Sequence, residues 1–163
     1  MRHQYDCSAE RFWELYFDPD YTVRLHGEAL GSTSAEITEQ AGDLQAGLTR
    51  TLRYGQRPDA PGPVKKLFGE EIVSNEVSTF DPATSTTHLV LTPGTMADKT
   101  DIRGTITVTP RADGSPGCEE TFELDARVKI FGVGPVVERF IERQARDMQT
   151  KSADFMDREL ARG

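Results

Sequence analysis

The chain has 163 residues, of which 36% are hydrophobic and 28% are charged, and its formal net charge is −8. This composition is typical of a folded globular protein rather than a disordered one, and no apolar run approaches the ~20 residues that a membrane span requires. An acidic surface repels phosphate backbones, so we expect no nucleic-acid partner and no stable membrane insertion.

The length predicts one domain over residues 1–163. The amino terminus lacks the apolar core of a signal peptide, so we expect a cytoplasmic location. Cys7 and Cys118 are far apart and have no CxxC spacing for zinc or redox chemistry. Two buried thiols are the simpler interpretation, and a disulfide between them stays open.

The first 30 residues predict a strand followed by two short helices. Residues 1–7 alternate, with His3, Tyr5 and Cys7 on one face. Ser8 is a suitable N-cap for a helix that carries an aromatic face. Pro19 then opens a second short helix that ends at about residue 30. The aromatic side chains, which predict core packing or a pocket wall, are Phe12, Trp13, Tyr16 and Phe17.

Turn signals divide the middle of the chain into further strands. The predicted strands cover residues 35–40, 44–54, 72–80, 87–92, 102–109 and 118–130. Their hairpin-length connections indicate an antiparallel meander, since parallel neighbours need crossover helices. Residues 55–69 are the exception, a long loop with three prolines that is predicted to be mobile and to cover an opening.

The last part of the chain predicts one long amphipathic helix. Gly132-Val133-Gly134-Pro135 breaks the chain, and apolar residues then recur at three- or four-residue steps up to Leu160. A helix over residues 135–160 is roughly 39 Å long. A curved sheet can supply the apolar surface on which such a helix lies, with room beneath it for a ligand.

Two segments resemble the START/Bet v 1-like superfamily, also called SRPBCC. They are the opening over residues 5–13, YDCSAERFW, and the turn into the last helix over residues 131–138, FGVGPVVE. The segment FDPDY over residues 17–21 and the terminal helix look like the bacterial family DUF2505. The resemblance implies an α+β helix-grip fold, a seven-stranded curved antiparallel sheet around a long C-terminal helix with two short helices after the first strand. It also implies an apolar cavity; relatives bind lipids, sterols or polyketides, some cyclise polyketides, and others bind proteins.

Standard catalytic signatures do not occur. The sequence has no HExxH pair, no GxSxG elbow and no GxxxxGK phosphate loop. We therefore expect no metal, no cofactor and no conventional hydrolase, kinase or dinucleotide-dependent oxidoreductase.

Polar residues in register with apolar strand faces are the candidates for ligand orientation. Glu120 has the parity of Phe122 and Leu124, and Arg50 that of Leu52 and Tyr54, while His88 has that of Val90. If these faces line the concavity, burial raises the pKa of Glu120, and Arg50 binds a ligand carboxylate or pairs with Glu120. The alternative is that these residues lie at exposed strand ends or edges, because one bulge reverses every assignment.

The leading hypothesis is binding or transport of a small hydrophobic or amphipathic ligand, lipid-like or polyketide-like, without covalent chemistry. The alternatives are a polyketide cyclase or aromatase that uses Glu120, Arg50 or a histidine for proton transfer, and a protein-interaction module with a closed core. The predicted cavity residues are Tyr5, Trp13, Arg50, Leu52, Tyr54, His88, Ile106, Glu120, Phe122, Leu124, Val137, Phe140, Ile141 and Met148.

Overall fold

The computed structural model describes residues 1–162, which form one antiparallel sheet, three short helices and a long last helix. The strands are β1 (Arg2–Tyr5), β2 (Ser34–Asp43), β3 (Gly47–Gln56), β4 (Ile72–Asp81), β5 (Thr86–Pro93), β6 (Thr100–Pro110) and β7 (Cys118–Val128). The helices are α1 (Ala9–Tyr16), α2 (Pro19–Arg24), α3 (Gly62–Phe68) and α4 (Gly134–Ala161). A π-helical turn, Leu25–Ala29, extends α2, and a 3₁₀ turn, Ala97–Lys99, precedes β6.

The seven strands lie in the order β1-β7-β6-β5-β4-β3-β2, and every neighbouring pair is antiparallel. β1 closes one edge by pairing Tyr5 with Cys118 of β7. β2 forms the other edge and has a register shift between Ile37 and Glu39, an irregularity that bends an edge strand. The predicted helix-grip fold is confirmed.

The two short helices after β1 begin with the side-chain caps that their sequence provides. Ser8 Oγ accepts a hydrogen bond from the Arg11 amide at 3.1 Å, and Asp18 Oδ1 accepts one from the Tyr21 amide at 2.7 Å. Each cap satisfies an amide that the first helical turn leaves free. The helices bury their aromatic side chains against β6, β7 and α4 in the larger of two apolar clusters.

Helix α4 agrees with the predicted helix to within one residue at each end. Its 28 residues span roughly 42 Å, and Glu138 Oε1 ties its first turn to the end of β7 by accepting from the Val128 amide at 2.8 Å. Val137 and Phe140 are buried near its start, and Phe155 and Met156 near its end. The middle of the helix therefore lies over the concave face of the sheet with fewer buried contacts. No helix within residues 1–162 is long and apolar enough to cross a membrane.

Two predictions about chain segments need correction. The strand predicted over residues 44–54 begins only at Gly47, because Asp43 Oδ1 holds a turn by accepting from the Gln45 and Ala46 amides at 2.8 and 2.7 Å. The segment 55–69 is not a loop throughout, because its second half forms α3. Val64 is fully buried there and packs with Val137 and Phe140 in the smaller apolar cluster.

Candidate functional site

A cavity of about 220 Å³ lies between the concave face of the sheet and α4, and it is partly open to solvent. Its volume is below the roughly 300–1,000 Å³ of common small-molecule sites, so it fits a compact molecule. Most of its wall is apolar, with side chains from β3, β5, β6, β7 and α4. A few polar side chains interrupt this wall, in two groups.

The structure brings together twelve of the fourteen residues predicted for the cavity. Alternation along β1, β3, β6 and β7 and the apolar stripe of α4 had predicted that they share the inner face. That they contact a ligand stays a prediction. The twelve are Tyr5, Arg50, Leu52, Tyr54, Ile106, Glu120, Phe122, Leu124, Val137, Phe140, Ile141 and Met148.

The other two predicted residues, Trp13 and His88, do not line the cavity. Trp13 packs in the core with its ring centroid 4.8 Å from that of Phe80, and its Nε1 donates to Ser85 Oγ at 2.9 Å. His88 is exposed on the convex face together with Val90, because β5 turns Leu89 inward. The parity with Val90 predicted the wrong face for His88, since Val90 itself is 42% exposed.

Glu120 forms the first polar group of the cavity wall, and it links three elements. Its side chain is 3% exposed; Oε2 accepts from the Tyr5 hydroxyl of β1 at 2.7 Å, and Oε1 accepts from Gln149 Nε2 of α4 at 2.7 Å. Burial raises the pKa of the Glu120 carboxyl, and the two hydrogen bonds only partly oppose this effect. The two hydrogen bonds hold the carboxyl in a fixed position beside the cavity.

Arg50 belongs to the second polar group, and it is 3% exposed. Its Nη1 donates to the Tyr16 carbonyl at 2.9 Å and to Thr22 Oγ1 at 2.8 Å, while its Nε is buried without a partner. The guanidinium carbon lies 5.1 and 4.9 Å from the ring centroids of Tyr16 and Phe17. Among residues 1–162 Arg50 forms no salt bridge, so the alternative in which it pairs with Glu120 is wrong.

Glu76 is a cavity residue that the sequence analysis missed. It is half-buried on β4, opposite Leu52 of β3 and Leu91 of β5, and Ser78 Oγ donates to its Oε1 at 3.1 Å. Burial raises the pKa of this carboxyl, although the positive charge of Arg50 acts in the opposite direction. The available signal was its parity with Phe80, an inward residue of the same strand.

His26 also lines the cavity, from the π-helical turn after α2, and the sequence analysis gave it no role. It is 5% exposed, its Nδ1 lies 2.9 Å from Ser32 Oγ, and its ring centroid lies 4.8 Å from that of Tyr54. Burial, and secondly the charge of Arg50, lowers the pKa of His26 to about 4. The ring is therefore neutral at pH 7 and contributes no positive charge to the site.

The described residues hold no group of three or more His, Cys, Asp or Glu side chains that could bind a metal ion. Pro58, which precedes α3, and Phe68, the last residue of α3, contribute to the wall of the cavity. The segment 55–69 thus borders the cavity, as predicted, but it does so partly as a packed helix.

Comparison with protein families gives one match that covers nearly the whole chain. The model of the DUF2505 family, described as a protein of unknown function, matches residues 1–160. No curated protein matches the chain.

Solved structures share the fold at low sequence identity. A protein from Thermus thermophilus superposes with a TM-score of 0.66 at 14% identity, covering 96% of this chain and 94% of that one. The Zhui aromatase/cyclase from Streptomyces sp. R1128 has a TM-score of 0.63 at 13% identity, with coverages of 98% and 93%. A START superfamily protein from Mycobacterium smegmatis has a TM-score of 0.63 at 14% identity, with coverages of 97% and 95%. These similarities confirm the START/Bet v 1-like fold.

Proposed function

The chain belongs to the DUF2505 family, and we propose that it binds a compact, largely apolar molecule with one polar group in the cavity beneath α4. The single observation that supports this proposal most is the partly open cavity of about 220 Å³, whose apolar wall carries a few buried polar side chains. Burial of apolar ligand surface contributes about 25 cal/mol for each Å² removed from water. The polar side chains then orient the ligand.

The segment 55–69 is the proposed entrance. Its first half has no helix or strand beyond Gln56, and Pro58 borders the cavity. Its second half, α3, rests on Val137 and Phe140 of α4. A small displacement of α3 from α4 would widen the opening without breaking any pairing of the sheet.

The test is binding of the neutral fluorescent probe N-phenyl-1-naphthylamine to the wild type and to Ala145→Trp. Ala145 is half-buried on the cavity side of α4, so an indole there occupies the space that a ligand needs. The matched control is Arg146→Trp, which places the same side chain on the exposed side of the helix one residue later. We expect loss of probe binding in Ala145→Trp only, and unchanged binding in a folded Ala145→Trp protein would overturn the assignment of the cavity.

Native mass spectrometry of the freshly purified protein, followed by solvent extraction, would identify a natural ligand. A stoichiometric apolar compound that is present in the wild type and absent from Ala145→Trp supports the proposal. The same compound retained at equal stoichiometry by both proteins contradicts it.

A cyclase or aromatase is the second candidate, and the buried Glu120 carboxyl beside the cavity favours it. In ring closure of a poly-β-ketone, the CH2 carbon between two carbonyl groups loses a proton. It then forms a bond to the carbon of a more distant carbonyl group, whose oxygen takes up a proton. A carboxyl with a raised pKa suits both proton transfers. The Streptomyces neighbour is named as an aromatase/cyclase, and this similarity adds support at the level of the fold.

The test of this candidate is conversion of a synthetic poly-β-keto thioester, followed by mass spectrometry. We expect Glu120→Gln to keep probe binding and to lose cyclisation. No conversion by the wild type, with binding intact, leaves ligand binding as the function.

A further inference from the structure

The buried guanidinium of Arg50 has one edge without a partner. A guanidinium presents two donor edges, Nη1–Nη2 and Nε–Nη2, and each can bind a carboxylate through two parallel hydrogen bonds. Here Nη1 is fully used by the Tyr16 carbonyl and Thr22 Oγ1, whereas Nε is buried with no partner. Among residues 1–162, Nη2 has no hydrogen-bond acceptor either.

Among residues 1–162, no anionic side chain compensates this charge by direct contact. Each oxygen of Glu120 accepts a hydrogen bond, Oε2 from Tyr5 and Oε1 from Gln149, and neither accepts one from Arg50. Glu76 is the nearest acid on β4, and its hydrogen bond comes from Ser78 rather than from Arg50. Burial raises the pKa of Glu76 and the charge of Arg50 opposes this effect, but no hydrogen bond joins the two side chains.

The remaining groups around Arg50 are neutral or aromatic. Tyr16 and Phe17 cover it with their rings, and His26 is in its neutral form at pH 7. A buried charge without a counter-ion costs several kcal/mol, and this cost falls when an anion binds next to it.

From this arrangement we propose that the ligand of the cavity is an apolar molecule with one anionic group, most simply a carboxylate, which binds the unpartnered donors of the Arg50 guanidinium. The inference rests on the proposed binding function and specifies the chemical class of the ligand. The apolar wall takes the carbon skeleton, and Arg50 fixes its orientation.

The experiment compares two probes of the same shape at pH 7, 2-naphthoate and 2-naphthamide, by calorimetric or fluorescence titration. A charge-assisted pair of hydrogen bonds predicts that the carboxylate binds roughly tenfold to a hundredfold more tightly than the neutral amide. Arg50→Met should remove this preference, and Arg50→Lys should retain part of it. Arg53→Met, which removes the same charge from the exposed face of β3, is the control and should leave the ratio of the two affinities unchanged.

The outcomes separate the inference from the proposed function. Equal binding of both probes overturns the anionic ligand class and leaves the binding function in place. A carboxylate preference that persists in folded Arg50→Met also overturns the inference, because the anion then binds elsewhere. Absence of binding by both probes and by N-phenyl-1-naphthylamine contradicts the proposed function itself. If Arg50→Met does not fold, the inference is tested by the ratio of the 2-naphthoate and 2-naphthamide affinities in the wild type and in Arg50→Lys.

Discussion

Two carboxyl groups on the inner face of the sheet, Glu76 and Glu120, are placed where ionisation is unfavourable. Burial raises the pKa of each above that of an ordinary glutamate. In the pH range above the ordinary glutamate pKa, the folded protein therefore binds more protons at these sites than the unfolded chain does. Their contribution to the free energy of unfolding consequently falls as the pH rises towards the folded pKa.

Glu76→Gln tests this pH dependence at the site that the sequence analysis missed. The amide keeps the size of the side chain and cannot ionise, so we expect the variant to be more stable than the wild type at pH 7–8 and similar to it near pH 4. Each unit by which the pKa is raised corresponds to about 1.4 kcal/mol. Urea unfolding at both pH values measures the difference. The control is Glu39→Gln, at an exposed glutamate of β2. Its stability relative to the wild type should be the same at both pH values.

His26 should give the opposite pH dependence. Its pKa is lowered to about 4 in the folded protein, so the unfolded chain binds more protons at this site between about pH 4 and 6.5. Stability from this residue is therefore complete above pH 6.5 and is lost as the pH falls towards 4, by an amount on the order of 3 kcal/mol. In His26→Asn, urea unfolding should show that this acid-induced loss is reduced. If the exposed His88→Asn variant reduces the loss as much, the assignment to His26 is wrong.

Parity along a strand predicted Arg50 and Glu120 because apolar residues surround them in alternation. The same logic failed for His88, since Val90 is apolar and yet lies on the convex face. For Glu76 parity gave only the link to Phe80, because the inner face of β4 between Ile72 and Phe80 consists of Ser74, Glu76 and Ser78. Polar side chains in alternation are typical of a strand face that is exposed to solvent. Only the tertiary structure shows that this face of β4 points towards the cavity.

At the scale of elements, the joint between β7 and α4 depends on a close backbone contact. A Cβ atom at Gly134 would lie 2.6 Å from the Val128 carbonyl oxygen, which is a backbone atom and cannot move aside cheaply. We expect Gly134→Ala to lower the free energy of unfolding by about 1–3 kcal/mol, as overpacking does. Gly62→Ala is the matched control, since Gly62 begins α3 and has no atom within 4 Å of such a Cβ. Equal effects of the two substitutions in thermal unfolding would contradict the proposed contact.

The elements were predictable in proportion to their length and periodicity. α4 carries 28 residues with a repeating apolar face, and its ends were placed to within one residue. α3 has seven residues, with Pro63 in its first turn and two more prolines before it, and this length is too short for a helical period to be recognised. Its position is fixed by tertiary burial of Val64 and Phe68, four residues apart, against α4.

On the scale of the whole molecule, the third hypothesis, a protein-interaction module with a closed core, loses its main premise. Beside its two apolar clusters, the interior contains a cavity that is partly open to solvent. Most large apolar side chains exposed within residues 1–162 are scattered, and the one adjacent pair is Val77 of β4 and Val90 of β5. Single exposed apolar residues are normal on protein surfaces.

Cys7 and Cys118 are free thiols that lie next to each other, and they give a last prediction. Their Sγ atoms lie 4.0 Å apart across 111 positions of sequence, next to the strand pair that carries the Tyr5–Glu120 hydrogen bond. Burial raises the pKa of both thiols, that of Cys118 to about 12, so little thiolate is present at pH 7. We expect oxidised glutathione to form the disulfide slowly at pH 7 and faster at pH 9, with two glutathione molecules released for each bond.

Closing a loop of this length removes entropy from the unfolded chain, which predicts a gain of up to about 5 kcal/mol in the oxidised protein. Mass spectrometry follows the loss of two hydrogens, urea unfolding measures the gain, and Cys7→Ser is the control that should show neither. A stable glutathione adduct at Cys7 without disulfide formation would show that the two sulfurs do not come within bonding distance. A disulfide without added stability would show that the bond strains the junction of β1 and β7, and through it the Tyr5–Glu120 side of the cavity.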